Sequence, residues 1–428
     1  MAGKNPTYER WRRTIFGITW LAYAGMYLTR KAFSAAKVAL GPDTAIGLTK
    51  GQMAGIDTAY SVAYAAGQFI FGIAGDRLGT RRVVMAGLVG SVLAAIATGM
   101  SGTALAFGVF MFLQGIFQST GWAPLSKNLA RFFSRRERGA VMGFWCTNYA
   151  VGGWVATVVA AVAAEKFGWR YAFFLPAAGL LAIAALFYVF QRNRPEDVGL
   201  PPIETYHAEK MGIEPEAILP RSDRTPWTVV KDVLRSPMVL MLCFTYFCLK
   251  PARYLLLFWG PQYIHETLDT GVAVSAFVSS TFELGGPIGA LLGGLISDKV
   301  FGSRRVPVAV ISLLMLAVIF YFMKAIPHTK LALGGALFVI GLFLYAADSL
   351  LSGTAAVDFG TEEGASTASG LINGSGSIGQ IIGPAIPGLV PKSWGWSGVF
   401  GILSLTMLFA GLVLAPRWNA MPSKKAAA

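Results

Sequence analysis

Three cations stand in runs that otherwise avoid water. Arg30 lies in LAYAGMYLTRKAFSAAKVAL (21–40), and Arg253, with Lys250 one turn before it, lies in FTYFCLKPARYLLLFWGPQYI (244–264). A cation at the centre of a bilayer costs about 2.5–3.5 kcal/mol on insertion scales, so such residues are kept for what they bind. A guanidinium is a planar fork of donors that grips two oxygens of a phosphate at once, which a point charge does not. Two such forks aimed at one point would hold a dianionic oxyanion. Tyr23, Tyr27 and Arg30 fall at i, i+4 and i+7 on one helical stripe, and Tyr60 and Tyr64 form a comparable pair. Hydroxyls placed there would add neutral hydrogen bonds. The plainer account of the tyrosines is interfacial or core packing. For the arginines it is snorkelling to a membrane surface.

The elements that must position these residues are helices. The 428 residues are 54% hydrophobic and 14% charged, against about a quarter charged in soluble domains. Apolar runs predict twelve membrane-spanning helices near 14–38, 52–75, 83–101, 104–127, 139–163, 170–191, 236–263, 271–297, 306–324, 331–353, 365–389 and 397–415. The start, MAGKNPTYERWRR, leads into the first run without a small-residue cleavage site and reads as an uncleaved helix. Short connections rich in Lys and Arg (Arg77, Arg81, Arg82; Arg131, Arg135, Arg136, Arg138; Lys299, Arg304, Arg305) belong on the cytoplasmic side, which puts both ends of the chain there. The net charge of +14 is accounted for by this asymmetry. No basic soluble segment exists to carry nucleic acid.

A duplication relates the two halves. GDRLGTRR (75–82) returns as SDKVFGSRR (297–305), with Asp76 and Asp298 separated by 222 positions; GWRYAF (168–173) returns as GWSGVF (395–400) after 227. The same shift carries Arg30 onto Arg253, 223 positions on. Parallel six-helix halves with a binding site at the midplane are the architecture this implies: an all-α integral membrane fold with halves 1–191 and 236–428 joined by a cytoplasmic linker, 192–235. The duplicated loops, through Asp76, Arg77, Arg81, Asp298 and Arg304, are expected to clamp neighbouring helices and act as a gate. The symmetry further places Arg30 and Arg253 facing each other across the central axis.

Other polar residues in the spans are less specific. Lys31 is rotated about 100° from Arg30, and Lys250 is expected to share the cavity with Arg253. Glu283 in STFELGGPIGA and Asp348 in YAADSLLSG require partners, with Lys250 or Lys31 available. Asp57 is close enough to a span end for water to suffice. NGSGSIGQIIGPAIPG (373–388) reads as a packing or bending device. Cys146, Cys243 and Cys248 have no metal spacing, and His207, His265 and His328 fall in predicted loops. No Walker element, HExxH or Ser-His-Asp arrangement occurs, so neither an enzyme, nor an ATP-driven pump, nor a bound cofactor or metal is expected.

At this level the chain resembles the organophosphate:phosphate antiporters of the major facilitator superfamily along nearly its whole length. The resemblance rests on YLTRKAF (27–33), FQSTGWAPLSKNLARFFSRRERG (117–139), RPEDVGLPPIETY (194–206) and PARYLLLFWGPQYI (251–264). It implies exchange of a phosphorylated metabolite for inorganic phosphate by alternating access, in the cell inner membrane, by a monomer in contact with lipid. It also implies that Arg30 and Arg253 grip the phosphate, with Tyr27, Tyr64 and Trp122 near the cavity. The chain departs from glycerol-3-phosphate members at three positions: Gln68 replaces a lysine, Tyr149 a histidine, and Lys250 a tyrosine. The expected substrate set is therefore Arg30, Arg253, Lys250, Tyr27, Tyr23, Tyr64, Gln68, Trp122, Tyr149 and Asp348, with a sugar phosphate fitting as well as glycerol phosphate. In the empty carrier two facing arginines would repel, so that only a bound anion lets the halves close, which enforces exchange. Two rival functions stand beside this one: a membrane receptor that binds sugar phosphate and signals to a partner, and a proton-coupled organic-anion importer using Glu283 or Asp348.

Overall fold

The computed structural model describes residues 5–41, 46–134, 141–142, 144–211, 231, 234–354 and 365–420. Among them no strand occurs. The helices are α1 (Pro6–Arg30), α2 (Ala32–Leu40), α3 (Lys50–Leu78), α4 (Thr80–Met100), α5 (Ala104–Gln118), α6 (Trp122–Phe132), α7 (Thr147–Phe167), α8 (Tyr171–Phe190), α9 (Ile203–Met211), α10 (Pro237–Leu268), α11 (Val272–Lys299), α12 (Arg305–Phe322), α13 (Lys330–Ser349), α14 (Ala365–Leu389) and α15 (Gly395–Leu414). Local chemistry sets several starts. Asn5 accepts from the Thr7 and Tyr8 amides ahead of Pro6, Ser236 caps α10 ahead of Pro237, and Thr103 and Thr329 cap α5 and α13.

Eight helical segments among the described residues are long and apolar enough to cross a membrane. The helices at the first, second, eighth and eleventh expected spans (α1 with α2, α3, α11 and α14) are not among these eight. The first three of them hold buried polar groups: Arg30, Lys31 and Lys37, then Asp57, then Glu283. The fourth holds the Gly- and Ser-rich tract. Large apolar side chains such as Leu105 and Leu331 are exposed, at 78% and 87%. Lipid is the solvent that tolerates them.

The chain forms two compact units. One comprises Met1–Ala39 and Ala59–Arg221, the other Leu40–Thr58 and Ser222–Ala428. The long division thus falls inside the polar segment 192–235, and residues 40–58, which include the first turns of α3, group with the second unit. There Lys50 pairs with Glu266 at 2.6 Å, and Trp396 donates to the same carboxylate oxygen at 2.8 Å. Each unit repeats one packing scheme. In the first, α1 packs on α7 and α8, and α4 on α5 and α8; in the second, α10 packs on α14 and α15, and α12 on α13 and α15.

Glycines make the repetition concrete. A methyl at Gly115 of α5 would fall on the Tyr60 carbonyl of α3, and one at Gly341 of α13 on the Phe282 carbonyl of α11. Gly152 of α7 meets the Ala24 carbonyl of α1 in the same way that Gly379 of α14 meets the Phe247 carbonyl of α10. Small residues let helix backbones approach this closely, and van der Waals packing then holds them in a lipid environment that supplies no hydrophobic drive.

The linker contains a helix, α9, which packs Ile203 and Tyr206 against Tyr8, with the two tyrosine rings stacked at 3.9 Å. Tyr206 also donates to Glu9 at 3.1 Å, and burial with this bond pushes its phenol above the usual range. Asp57 does not rely on water, being fully buried. His207 and His265 lie in α9 and α10, not in loops. The side chains of Asp76 and Arg77, and residues Arg135, Arg136 and Arg138, lie outside the described set.

Candidate functional site

In the first unit the chemistry gathers around Arg30, the last residue of α1, which is 1% exposed. The helix breaks at Lys31, where the chain bends before α2. Arg30 Nε donates to Gln118 Oε1 at 2.8 Å, and its guanidinium lies over the rings of Tyr27 (4.4 Å) and Tyr64 (4.8 Å). Gln118 is itself fixed on every side. Its Oε1 also accepts from Tyr60 Oη at 2.9 Å, and its Nε2 donates to Met26 O at 3.0 Å and Thr29 Oγ1 at 2.9 Å. The Arg30 guanidinium also meets the Tyr64 hydroxyl, while Nη2 has no acceptor in hydrogen-bonding geometry among the described residues. A buried guanidinium with an unused N–H on a rigid mount can receive an anionic oxygen.

The expected aromatic residues surround this mount. Tyr23 sits edge-on to Tyr27 (6.0 Å) and Trp122 (5.4 Å) and packs against Trp145 (5.5 Å); Tyr60 and Tyr64 stack at 6.0 Å. The Tyr64 hydroxyl meets Tyr23 and Gln68. Tyr149 and Trp122 are partly buried against the core of this unit. Tyr23 and Trp122 therefore serve packing as well as any binding role.

In the second unit Lys250 immediately precedes Pro251 and Arg253 stands two residues after it, within α10. Both are bound to one acid. Asp348 Oδ2 accepts from Arg253 Nη1 at 3.1 Å, and Oδ1 lies 2.9 Å from Lys250 Nζ. Aromatic faces hold the cations from behind: Tyr345 lies 4.7 Å from the Arg253 guanidinium, and Tyr246 lies 4.5 Å from Lys250 Nζ. The three charged groups are nearly buried, at 9%, 8% and 5% for Lys250, Arg253 and Asp348. This corrects the picture of a bare arginine in an empty carrier. Arg253 already has a counter-ion, so it is not the unpaired guanidinium that the expected repulsion requires.

The repeated loops show what their cations hold. Arg81 donates its backbone N–H to Asn193 Oδ1 at 2.9 Å and its Nη2 to Tyr188 O at 2.6 Å, tying the start of α4 to the exit of α8. At the corresponding place Arg304 donates to Asn419 Oδ1 at 3.1 Å, beyond the exit of α15. Asp298 turns to Arg305, at 2.5 Å, and accepts from Ser303 at 3.0 Å. These side chains thus fasten helices of their own unit.

Sequence reasoning missed Gln118, Asn193 and Asn419. A glutamine in an apolar run carries the same burial cost as a buried cation's partner, and that signal was present at Gln118. The two asparagines sit 24 and 23 residues after Trp169 and Trp396 and were readable as another product of the duplication. Among the described residues no cluster of His, Cys, Asp and Glu could hold a metal.

Comparison with known proteins agrees with this architecture. Residues 19–373 match the family described as the Major Facilitator Superfamily. The chain is 31% identical to the "Probable hexose phosphate transport protein" of Chlamydia trachomatis, covering 96% of this chain and 92% of that one. It is 30% identical to the "Membrane sensor protein UhpC" of Escherichia coli, over 98% and 95%, and 30% identical to the "Glycerol-3-phosphate transporter" of Bacillus subtilis, over 97% and 94%. Among solved structures, a peptide transporter POT in complex with sulfate aligns with a TM-score of 0.74 at 17% identity, covering 96% of each chain, a likeness of fold alone. The chain belongs to the Major Facilitator Superfamily, and is a multi-pass membrane transporter, not an enzyme.

Proposed function

We propose that this protein exchanges a phosphorylated metabolite, a sugar phosphate or glycerol phosphate, for inorganic phosphate across the cell inner membrane. Arg30 and Arg253 are the phosphoryl-binding groups, supported by Lys250, Tyr27, Tyr64 and Gln68, and the protein works as a monomer. Twelve crossings with both ends of the chain on the cytoplasmic side complete the proposal, with the loops around Asp76, Arg77, Arg81, Asp298 and Arg304 as candidate gates. The observation that carries it is a pair of arginines at duplication-related positions, each nearly buried and backed by tyrosine rings. Relatives named for hexose-phosphate and glycerol-3-phosphate transport support the substrate class. The test is uptake of radiolabelled phosphate into proteoliposomes. Rapid uptake is expected when the vesicles contain phosphate or an ester, and brisk uptake into phosphate-free vesicles would refute obligatory exchange.

A second reading has its own support, since the relative from Escherichia coli covering 98% of this chain is named a membrane sensor protein. A sensor would bind sugar phosphate without moving it. Saturable binding by the purified protein with no flux in any loaded vesicle would favour that reading.

A further inference from the structure

Asp348 gives both of its oxygens to the two cations of α10. A carboxylate bridging a lysine and a guanidinium offers them two anionic oxygens on one atom, which is also what one edge of a phosphoryl group offers. A buried ion pair or triad of this kind adds little to stability over well-packed apolar residues. We propose that Asp348 is a resident counter-anion which a phosphoryl group must displace to reach Arg253 and Lys250, and that it thereby selects doubly charged oxyanions over singly charged ones. The inference rests on Arg253 being a phosphoryl-binding group, as proposed above.

The selection follows from charge. Lys250, Arg253 and Asp348 together carry one net positive charge. A singly charged oxyanion replacing Asp348 brings the cations no more charge than they already face, so it gains nothing by the exchange. A dianion brings twice as much and wins. The setting suits a side chain that must move. Asp348 is the penultimate residue of α13, and a π-helical turn, Leu350–Thr354, follows directly. Such turns interrupt helical register and recur at functional sites. The cations, by contrast, keep their aromatic supports: Tyr246 and Tyr254 lie 4.5 and 5.9 Å from Lys250, and Tyr345 and Tyr254 lie 4.7 and 6.0 Å from Arg253.

The experiment measures equilibrium binding of inorganic phosphate to the purified full-length protein at constant pH, with nitrate as a singly charged competitor. Wild type is expected to bind phosphate and ignore nitrate. Asp348→Asn is expected to bind phosphate about tenfold tighter and to let nitrate compete, because the internal rival is gone. A folded Asp348→Asn protein that binds phosphate equally or more weakly would overturn the proposal, since a purely structural bridge predicts that loss. Lys250→Met/Asp348→Asn leaves no uncompensated buried lysine and guards against misfolding of the single variant. It is expected to bind phosphate more weakly than Asp348→Asn, having lost the Lys250 contact to the phosphoryl group, while nitrate still competes. Phosphate binding by this variant with continued indifference to nitrate would equally overturn the role. Absence of phosphate binding by wild type would remove the phosphoryl assignment itself, whereas wild-type binding with unchanged variants removes only the role of Asp348.

Discussion

Replacing Gln118 by Leu separates the mount from the cation it carries. Gln118 is fully buried and its four hydrogen bonds join α1, α3 and α5. Leucine preserves most of the volume but accepts nothing from Arg30 Nε or Tyr60 Oη. A hydrogen bond to a charged group contributes about 1.5–3 kcal/mol, and a neutral one about 0.5–1.5 kcal/mol. Relief from burying the amide offsets part of the loss, so a net destabilisation of roughly 2–3 kcal/mol is expected. Arg30 also loses the contact that aims it, and a fork turned away from its ligand costs about tenfold or more in affinity. Two measurements on the purified protein check this: thermal unfolding, and the dissociation constant for inorganic phosphate. Gln118→Glu is the informative companion, since it retains acceptors for Arg30 and Tyr60 while placing a negative charge on the guanidinium. Phosphate affinity should fall there too, without relying on a misplaced Arg30. If Gln118→Leu leaves both the unfolding temperature and phosphate binding unchanged, the positioning argument is wrong.

Arg30→Lys and Arg253→Lys should each reduce phosphate counterflow to near background, because lysine keeps the charge but not the bidentate fork; near-normal exchange by either would remove that arginine from the site. Gly115→Val and Gly341→Val should each cost about 1–3 kcal/mol or more through overpacking against a helix backbone, read as lost yield of folded protein on size-exclusion chromatography. Partial burial pushes the Asp298 carboxyl up, but hydrogen bonds from Arg305 and Ser303 and the Arg305 charge outweigh it and hold it below the usual range. Its contribution to stability is then present above about pH 4 and lost as pH falls through the lowered value. Asp298→Asn should therefore flatten the acid limb of a pH–stability profile, and an unchanged limb would refute the pairing.

The duplication made much of this legible in advance. Arg30 and Arg253 share a shift with two unrelated motifs, and both prove to be buried on aromatic supports. What escaped was chemistry without a charge or a motif. Gln118 looks inert in an apolar run until Arg30 is known to lie beside it. The acid at 348 was visible, but one dimension does not tell that a single carboxylate holds Lys250 and Arg253 together across 95 residues of sequence. Glycine crossings such as Gly115 on Tyr60 are a property of two backbones at once, and a residue count along one helix does not contain them. The helix at 203–211 was obscured for another reason: it lies in a polar stretch just after Pro201 and Pro202, and the ring it stacks on, Tyr8, is far away in sequence.

That stacked pair has a practical corollary for dissecting the molecule. Tyr8 and Tyr206, with Tyr8 Oη on Pro201 O at 3.1 Å, join the beginning of the first bundle to the segment leaving its end. A fragment cut at residue 191 would discard half of this fastening, whereas one cut after residue 211 would keep it. Split-gene reconstitution and fluorescent-protein insertion should therefore favour the later cut.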